Sequence, residues 1–462
     1  VLTVTIAHRA ALPIARDAVR AHEYYRTAGL ETDLVFVNDY GNDYAQPVRD
    51  ALKDMIASSH LREMTGAPGG VHVIDGAQLP AQRRAALMRA SALCFDESTG
   101  FFAQLRAKLG VLEACARVPY REMEARSFKL PPIRRALFNG YGGFAEDGYA
   151  VDLGSPTPAA WSNILAGRNF GALVTERGGG FLFGKNSRFD RLTPFGNDPL
   201  CEGWGLMLYL VDERKGAYAR LLPGERPFTP FRATHGFAES RFESGTSGVR
   251  FLTTLYARPD ADALGVQVRL TNTSGGACEY SVVAFVDWLM GVDARDASLL
   301  RTWNEDGMCL SSGAAEGVGY LAPLDAPASA GAERAAFLGH GGLMRPDGLF
   351  APWERRGGWA LKARVSLAPG QEGRLHFAIG MAAGREEARA AVRAMRDAPD
   401  ALQRAREEWQ TTLPALQIVT GDEAIDRVLP MLVKQALDAR MRARTGLYQA
   451  GGAYGFRDQL QD

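Results

Sequence analysis

Apolar and polar positions along the first 118 residues follow two alternating periods. Short β-branched runs at 2–7, 33–38 and 70–74 are typical of buried parallel strands. The stretches between and after these runs place apolar residues every three or four positions, as amphipathic helices do, at 14–28, 44–59 and 81–92. This alternation predicts a small parallel α/β domain over residues 1–118.

The alternating runs of apolar and polar residues become shorter from residue 137 onward. The chain there is rich in Gly, Thr, Asn and Pro, and short alternating runs flank turn-forming residues at 244–248, 271–278 and 368–370. Such paired runs predict β-hairpins, and repeated hairpins predict a large antiparallel sandwich over 137–383. The proline-containing stretch 119–136 is predicted to be a linker.

Helical periodicity returns near the C-terminal end. Residues 384–412 are rich in Ala, Arg and Glu, and Pro399 divides them into two helices of a predicted helical linker. A further amphipathic helix is predicted over 425–443, within a last segment 413–462. Its expected apolar face consists of Leu429, Leu432, Val433, Ala436 and Leu437. The predicted fold class is multidomain α+β.

Composition and charge argue against several classes of function. Lys and Arg together number 53, as do Asp and Glu, so no basic surface for nucleic acid is indicated. The longest apolar runs are too short to span a bilayer, which argues against membrane contact by this segment. Five widely spread cysteines are typical of reduced thiols in a cytoplasmic protein, not of disulfides or a zinc site. We interpret the sequon Asn272-Thr273-Ser274 as turn chemistry.

Three polar residues end predicted strands of the α/β domain. His8, Asp39 and Asp75 lie where open α/β sheets bind ligands. Packing or capping is the alternative interpretation. None of these strands is followed by a glycine-rich nucleotide motif, so a nucleotide site is not indicated.

The end of the sequence carries the most distinctive chemistry. A glycine-rich loop runs into Phe-Arg-Asp, and small residues let the backbone approach a ligand closely. The planar donor fork of Arg457 beside the carboxylate of Asp458 suits a ring of sugar hydroxyls. A turn followed by a solvated helix start is the other interpretation. Because the sequence opens inside a strand-like run and stops just after this motif, it is expected to be part of a larger polypeptide.

Several motifs of the sandwich and of the last segment occur in the order found in a known family. They are FNGYGGF (138–144), TPAAWSN (157–163), NFG (169–171), KNSR (185–188), RLTPF (191–195), NDP (197–199), RFE (241–243) and YGFRD (454–458). Together they resemble glycoside hydrolase family 94, the inverting glycoside phosphorylases. From the residues alone, Asn186, Arg188, Asn197, Asp198, Trp161 and Trp204 fit both turn or packing roles and sugar contacts.

The resemblance implies a fold and a reaction. Residues 413–462 would begin an (α/α)6 catalytic barrel, and inorganic phosphate would attack the anomeric carbon while one carboxylic acid protonates the leaving oxygen. The general acid, an aspartate, is expected beyond Asp462, so the chain alone is expected to be inactive. The resemblance implies sugar contacts by Arg457 and Asp458, then by Asp462, Tyr454 and Arg440.

Within the family, the glycine-rich loop is similar to that of the phosphorylase-like region of cyclic β-1,2-glucan synthases. The expected partners are a β-glucan oligosaccharide, inorganic phosphate as co-substrate without a further cofactor, and the rest of a larger polypeptide; a homodimer stays open. The expected location is cytoplasmic, with the cytoplasmic part of an inner-membrane enzyme as a variant. The alternatives are a non-catalytic carbohydrate-binding module, a hydrolase, and a stand-alone oligoglucan or cellobiose-type phosphorylase.

Overall fold

Two units make up the chain, Val1–Arg117 and Val118–Asp462. The computed structural model describes all residues except 42–45, 116–120, 126–127, 199–202, 226, 228, 326, 354–356, 417–418 and 444–462. In the described part of the chain, no helix combines the length and the apolar character needed to cross a bilayer.

The first unit is a parallel sheet with helices between its strands. Its elements are β1 (Leu2–Ile6), α1 (Leu12–Thr27), β2 (Leu34–Asn38), α2 (Pro47–Ala57), β3 (Val71–Asp75), α3 (Ala81–Ala90), β4 (Leu93–Phe95) and α4 (Phe101–Cys115). The strand order is β3-β2-β1-β4, and every neighbour pair is parallel, as predicted. The sequence pattern misses β4 because three residues are too few to show a period.

The second unit contains the remaining strands. They are β5 (Arg121–Glu122), β6 (Gly142–Ala145), β7 (Gly148–Asp152), β8 (Ser162–Ala166), β9 (Gly171–Thr175), β10 (Gly180–Phe183), β11 (Leu206–Asp212), β12 (Ala217–Arg220), β13 (Arg232–His235), β14 (Glu239–Gly245), β15 (Val249–Ala257), β16 (Ala263–Asn272), β17 (Cys278–Val286), β18 (Arg301–Glu305), β19 (Met308–Ser312), β20 (Val318–Pro323), β21 (Ala328–Gly331), β22 (Ala360–Leu367) and β23 (Glu372–Ala382). The helices are α5 (Arg334–Leu338), α6 (Arg385–Arg396), α7 (Ala401–Thr412) and α8 (Glu423–Gln435), and a π-helical segment Ala436–Arg442 continues α8.

These strands form a large antiparallel sandwich, as predicted. The ten-stranded sheet has the order β18-β19-β20-β23-β16-β15-β14-β13-β7-β6, and the six-stranded sheet has the order β21-β22-β17-β11-β12-β5. A smaller sheet, β10-β9-β8, completes the unit. Alternate side chains of both large sheets meet in one apolar core, which includes Tyr209, Phe242, Val266, Phe285 and Phe377.

One of the three predicted hairpins is correct. β14 and β15 pair across the turn at 246–248. The other two predicted hairpins are wrong: β16 and β23 pair with each other in the ten-stranded sheet, whereas β17 and β22 pair with each other in the six-stranded sheet. The connections 273–277 and 368–371 therefore cross between the sheets. A strand pattern specifies which positions are buried, but it does not specify the partner strand.

Asn272 joins the two crossing connections. Its side chain is fully buried, and Nδ2 donates to the carbonyl oxygens of Gly276 (2.8 Å), Leu367 (3.1 Å) and Ala368 (3.1 Å). Oδ1 accepts from the backbone N–H of Ser274 at 2.9 Å. The interpretation of the sequon as turn chemistry is therefore confirmed.

The segment before the sandwich packs against it. β5, within the predicted linker 119–136, pairs in parallel with β12 at the edge of the six-stranded sheet. The side chain of Phe128 is buried, and the carbonyl of Pro131 accepts from Arg232 Nη1 at 2.8 Å. These residues are thus part of the packed second unit.

The two predicted linker helices are present as α6 and α7, separated at 397–400 around Pro399. The helix predicted over 425–443 also forms, but its predicted apolar face is only partly buried, with Leu437 packed against the cluster that contains Trp409. None of those five side chains is fully buried, and Leu432 is 57% exposed. The buried positions among the described side chains are Lys434, Asp438, Ala439 and Ala443, because these face β8 and its neighbouring strands.

We predict that Asn272→Ala lowers the free energy of unfolding by about 2–4 kcal/mol, because a fully buried amide is removed and three carbonyl groups lose their donor. Denaturant unfolding measures this loss. Thr273→Ala is the matched control, since Thr273 is exposed in the same turn and its removal also destroys the sequon. Equal stability of the two variants would contradict the role assigned to Asn272.

Candidate functional site

The five predicted sugar contacts fall at the margin of the described structure or beyond it. Tyr454, Arg457, Asp458 and Asp462 lie outside the described residues. Arg440 belongs to the π-helical segment Ala436–Arg442, where only its backbone is described. The described candidate site is therefore the place where this last helix meets the sandwich, and we call it the helix–sandwich joint. It centres on Asn163, Lys434 and Asp438.

A buried ammonium group holds the helix–sandwich joint together. Lys434 is 0% exposed. Its Nζ donates to Asn163 Oδ1 at 2.6 Å and to the carbonyl of Ile164, and lies 3.1 Å from Asp438 Oδ2. Burial lowers the pKa of Lys434, and the adjacent Asp438 carboxylate opposes that shift. A buried charge is tolerated only with such partners.

Asn163 extends the network into the ten-stranded sheet. Its Nδ2 donates to the carbonyl of Gly236 at 3.0 Å and to Ser240 Oγ at 3.2 Å. Ser240 Oγ lies 2.9 Å from His235 Nδ1, and His235 Nε2 lies 3.2 Å from the carbonyl of Trp161. Burial lowers the pKa of His235 to about 4, so the ring is neutral at pH 7. Since a carbonyl only accepts, Nε2 carries the proton and Nδ1 accepts from Ser240.

The TPAAWSN motif supports this network from β8 and the loop before it. The buried Glu176 carboxylate accepts from the Trp161 backbone N–H at 2.7 Å and from the Thr157 hydroxyl. The Trp161 ring packs edge to face on Tyr141 and Tyr149. Trp161 and Asn163 therefore have packing and hydrogen-bonding roles within the sandwich.

The other motif residues also take part in local structure. Asn186 Oδ1 accepts from the backbone N–H groups of Arg188 (2.8 Å) and Phe189 (3.1 Å), which forms a turn. Asn197 has a positive φ of 51°, a conformation that asparagine tolerates. Trp204 Nε1 donates to the carbonyl of Arg177 at 3.4 Å. These contacts favour the turn and packing interpretation.

A polar cavity of about 1060 Å³ lies elsewhere on this unit, and a second one of about 630 Å³ adjoins the helix–sandwich joint. The second is lined by Trp409 and Glu408 of α7 and by Asp438 and Arg442 of the last helix. The Arg442 guanidinium lies over the Trp409 ring at 5.7 Å, and its Nη1 lies 3.2 Å from Asp438 Oδ1. An indole, a guanidinium and carboxylates are groups that bind sugars, and Arg442 precedes Tyr454 by twelve positions.

Sequence reasoning did not identify Lys434, Asp438 or Trp409. The available signal was the four-residue spacing of Lys434 and Asp438, which places both on one face of the helix. That spacing is typical of an ion pair exposed to solvent. The burial of Lys434 and Asp438 becomes evident only from the structure, in which Asn163 of β8 contacts Lys434.

The strand-end residues of the first unit have structural partners. The Asp39 carboxylate pairs with the Arg84 guanidinium, with Nη1 at 2.9 Å from Oδ1. The Asp75 carboxylate accepts from the backbone N–H of Ala77 at 3.1 Å and caps a short helical turn. His8 pairs with Glu97 at 2.5 Å in an exposed position. The capping and packing interpretation is confirmed for Asp39 and Asp75.

Comparison with known proteins agrees with the sandwich and its motifs. Residues 148–398 match the family described as "Glycosyl hydrolase 94, supersandwich domain". The chain belongs to glycosyl hydrolase family 94. The matched residues contain α6 and both large sheets except their edge strands β5 and β6.

Two family relatives are similar over long stretches. The chain is 30% identical to the cyclic beta-(1,2)-glucan synthase NdvB of Rhizobium meliloti (strain 1021), over 98% of this chain and 17% of that protein. It is 23% identical to an N,N'-diacetylchitobiose phosphorylase of Vibrio proteolyticus, over 70% of this chain and 44% of that protein. A solved bacterial glucoamylase complexed with acarbose is 10% identical, with a TM-score of 0.37, over 61% of this chain and 40% of that chain. The chain thus spans less than half the length of these relatives.

We predict that Lys434→Met lowers the free energy of unfolding by about 3–5 kcal/mol, because it leaves the Asp438 carboxylate buried without its ammonium partner. The double variant Lys434→Met/Asp438→Leu should recover part of that loss. Urea unfolding compares these variants with Arg427→Met, which removes an exposed i,i+4 pair from the same helix and should cost no more than about 0.5 kcal/mol. A Lys434→Met variant as stable as Arg427→Met would contradict the buried-pair assignment.

We predict that His235 makes stability depend on pH. An unfolded histidine titrates at a pKa of about 6.5, whereas the folded pKa is about 4. The unfolded state therefore binds more protons between these values, and stability is lost as pH falls from about 7, reaching a loss of about 3 kcal/mol near pH 4. His235→Gln should flatten this part of the stability curve. His60→Gln, at an exposed position, is the matched control.

Proposed function

We propose that this chain is the phosphorylase-like region of a cyclic β-1,2-glucan synthase and takes part in inverting phosphorolysis of β-1,2-glucan chains. The observation that carries the proposal is the similarity to the glucan synthase, which extends over 98% of the chain. That similarity therefore includes the parallel α/β unit as well as the sandwich. The phosphorylase relative covers only 70% of the chain, and its name supports phosphorolysis as the reaction type.

The proposed chemistry needs one carboxylic acid and one phosphate ion. The acid protonates the glycosidic oxygen as the bond breaks, and phosphate attacks the anomeric carbon from the opposite face to give a sugar 1-phosphate of inverted configuration. Phosphate is already an anionic nucleophile, so the reaction needs no general base and no further cofactor. We assign binding of the hydroxyl groups of the non-reducing-end sugar to Arg457 and Asp458. Asp462, Tyr454 and Arg440 are assigned further sugar contacts.

The helix–sandwich joint supports this assignment through its position in the chain. Lys434 and Asp438 fix the last described helix against β8, and the chain reaches Tyr454 twelve residues after Arg442. A helix anchored by a buried ion pair gives the following loop a fixed starting point. In this proposal the sandwich orients the sugar-binding loop and does not itself react.

We predict that Asp458→Asn and Arg457→Lys in the full-length parent protein each lower kcat/KM for release of glucose 1-phosphate by about tenfold to a hundredfold. The carboxylate loses its charge in the first variant, and the guanidinium fork is lost in the second. Arg364→Lys, at an exposed position on β22 of the six-stranded sheet, is the control and should be unchanged.

The assay uses linear β-1,2-glucan with and without phosphate. Release of glucose without dependence on phosphate would identify a hydrolase, and the absence of any product from the parent would identify a non-catalytic module. Normal kinetics with a lowered Tm in both variants would mean that Arg457 and Asp458 only stabilise the loop. The 462-residue chain by itself should release no glucose 1-phosphate, because the general acid is not assigned to any of its residues.

A further inference from the structure

The outer face of the ten-stranded sheet has two halves of opposite character. At one end its outward side chains are apolar or aromatic, such as Tyr256, Tyr320 and Ala378, and α6 and α7 cover them. At the other end the same strands present charged side chains. Among the described residues, no helix packs an apolar face against that second half.

The charged half is concave and encloses about 1060 Å³, a volume at the upper end of ligand clefts. We call it the trough. Its floor comes from β13 to β16 and β23, and its walls come from 133–136, 144–147 and the first turn of α8. Its charged lining consists of Arg134, Arg135, Arg232, Arg241, Arg250, Arg269, Arg427, Glu146, Asp147, Glu243, Glu372 and Glu423.

Ion pairs hold several of these guanidinium planes in fixed orientations. Arg232 Nε lies 2.7 Å from Asp152 Oδ1, and Arg241 Nη1 lies 3.0 Å from Asp147 Oδ2. The Arg232 guanidinium is buried and also donates to the Pro131 carbonyl, so it orders the floor of the trough. Because a guanidinium has five N–H donors, Arg241 has donors beyond those that its carboxylate partners use. Arg250 is exposed, and among the described residues no carboxylate pairs with it.

One aromatic side chain lines the trough. It is the half-buried Phe144, the last residue of the FNGYGGF motif. Aromatic faces provide stacking surfaces that a purely solvated charged face lacks.

The charge balance identifies the class of ligand. Seven arginines and five carboxylates line the trough, and the whole chain has no net charge, so the trough lacks the strong positive excess that a polyanion requires. Fixed donors and acceptors side by side, with the aromatic side chain of Phe144 in the lining, match a neutral ligand rich in hydroxyl groups. We propose that the trough binds an oligosaccharide chain, apart from the sugar-binding loop assigned to phosphorolysis. The trough's existence is independent of the proposed function, and only its assignment to β-1,2-glucan rests on that function.

Calorimetric titration of the 462-residue chain with linear β-1,2-glucan oligosaccharides tests the proposal, since the chain includes the whole trough. The double variant Arg250→Ala/Arg269→Ala should raise Kd by about tenfold or more, which corresponds to about 1.4 kcal/mol. Glu372 keeps Arg374 as a partner at 2.8 Å, so this variant should fold. Phe144→Ala should also weaken binding. Arg364→Ala is the matched control, because Arg364 is an exposed strand arginine on the six-stranded sheet.

The proposal is overturned if the wild-type chain binds none of the oligosaccharides, if the trough variants bind as wild type, or if Arg364→Ala weakens binding equally. Tighter, salt-sensitive binding of dextran sulfate would also overturn it and would make the trough an anion site. Thermal melting of each variant separates lost binding from lost folding. Because binding is measured without turnover, oligosaccharide binding with no phosphorolysis by the parent would count against the proposed function alone.

Discussion

The single apolar core shared by the two large sheets is the constraint on which the second unit depends. Every long strand must turn one set of alternate side chains toward that core, so its polar side chains are confined to the outer faces and to the connections. The outer face of the ten-stranded sheet therefore has two regions. One is covered by α6 and α7, and the other is open to solvent and lined by charged side chains. The positions of the polar groups in this unit therefore follow from which sheet faces pack into the core.

The sequence predicted the type of the elements better than their pairing. Alternation over β16, β17, β22 and β23 correctly indicated strands, yet the short connections that follow β16 and β22 resembled hairpin turns. Two strands joined by a short turn can pair, or they can lie in opposite sheets with the chain bending across the core. Only contacts that are distant in sequence decide between these outcomes, such as the bond from Asn272 to Leu367.

The candidate site shows the same limit of prediction from the sequence even more clearly. The pattern along α8 favoured Leu432 as a buried position, whereas the structure buries Lys434 two residues later. Transfer of an ammonium group into the interior is unfavourable unless its partners are already in place, and the partner Asn163 lies 271 positions earlier in the chain. The TPAAWSN motif indicated family membership from the sequence, and the structure gives the physical reason for its last residue: Asn163 satisfies a buried lysine.

The burial of Asn272 has a consequence for how the protein can be produced. Its amide nitrogen is already bonded to three carbonyl groups inside the sandwich, so an oligosaccharyltransferase could reach it only before the sheets close. In a eukaryotic secretory host the sequon would be exposed during translocation, and an attached glycan would occupy the space where the connections after β16 and β22 must meet. Glycosylation in such a host would prevent the two sheets from packing together. A host without N-glycosylation leaves the Asn272 amide free to form its three hydrogen bonds.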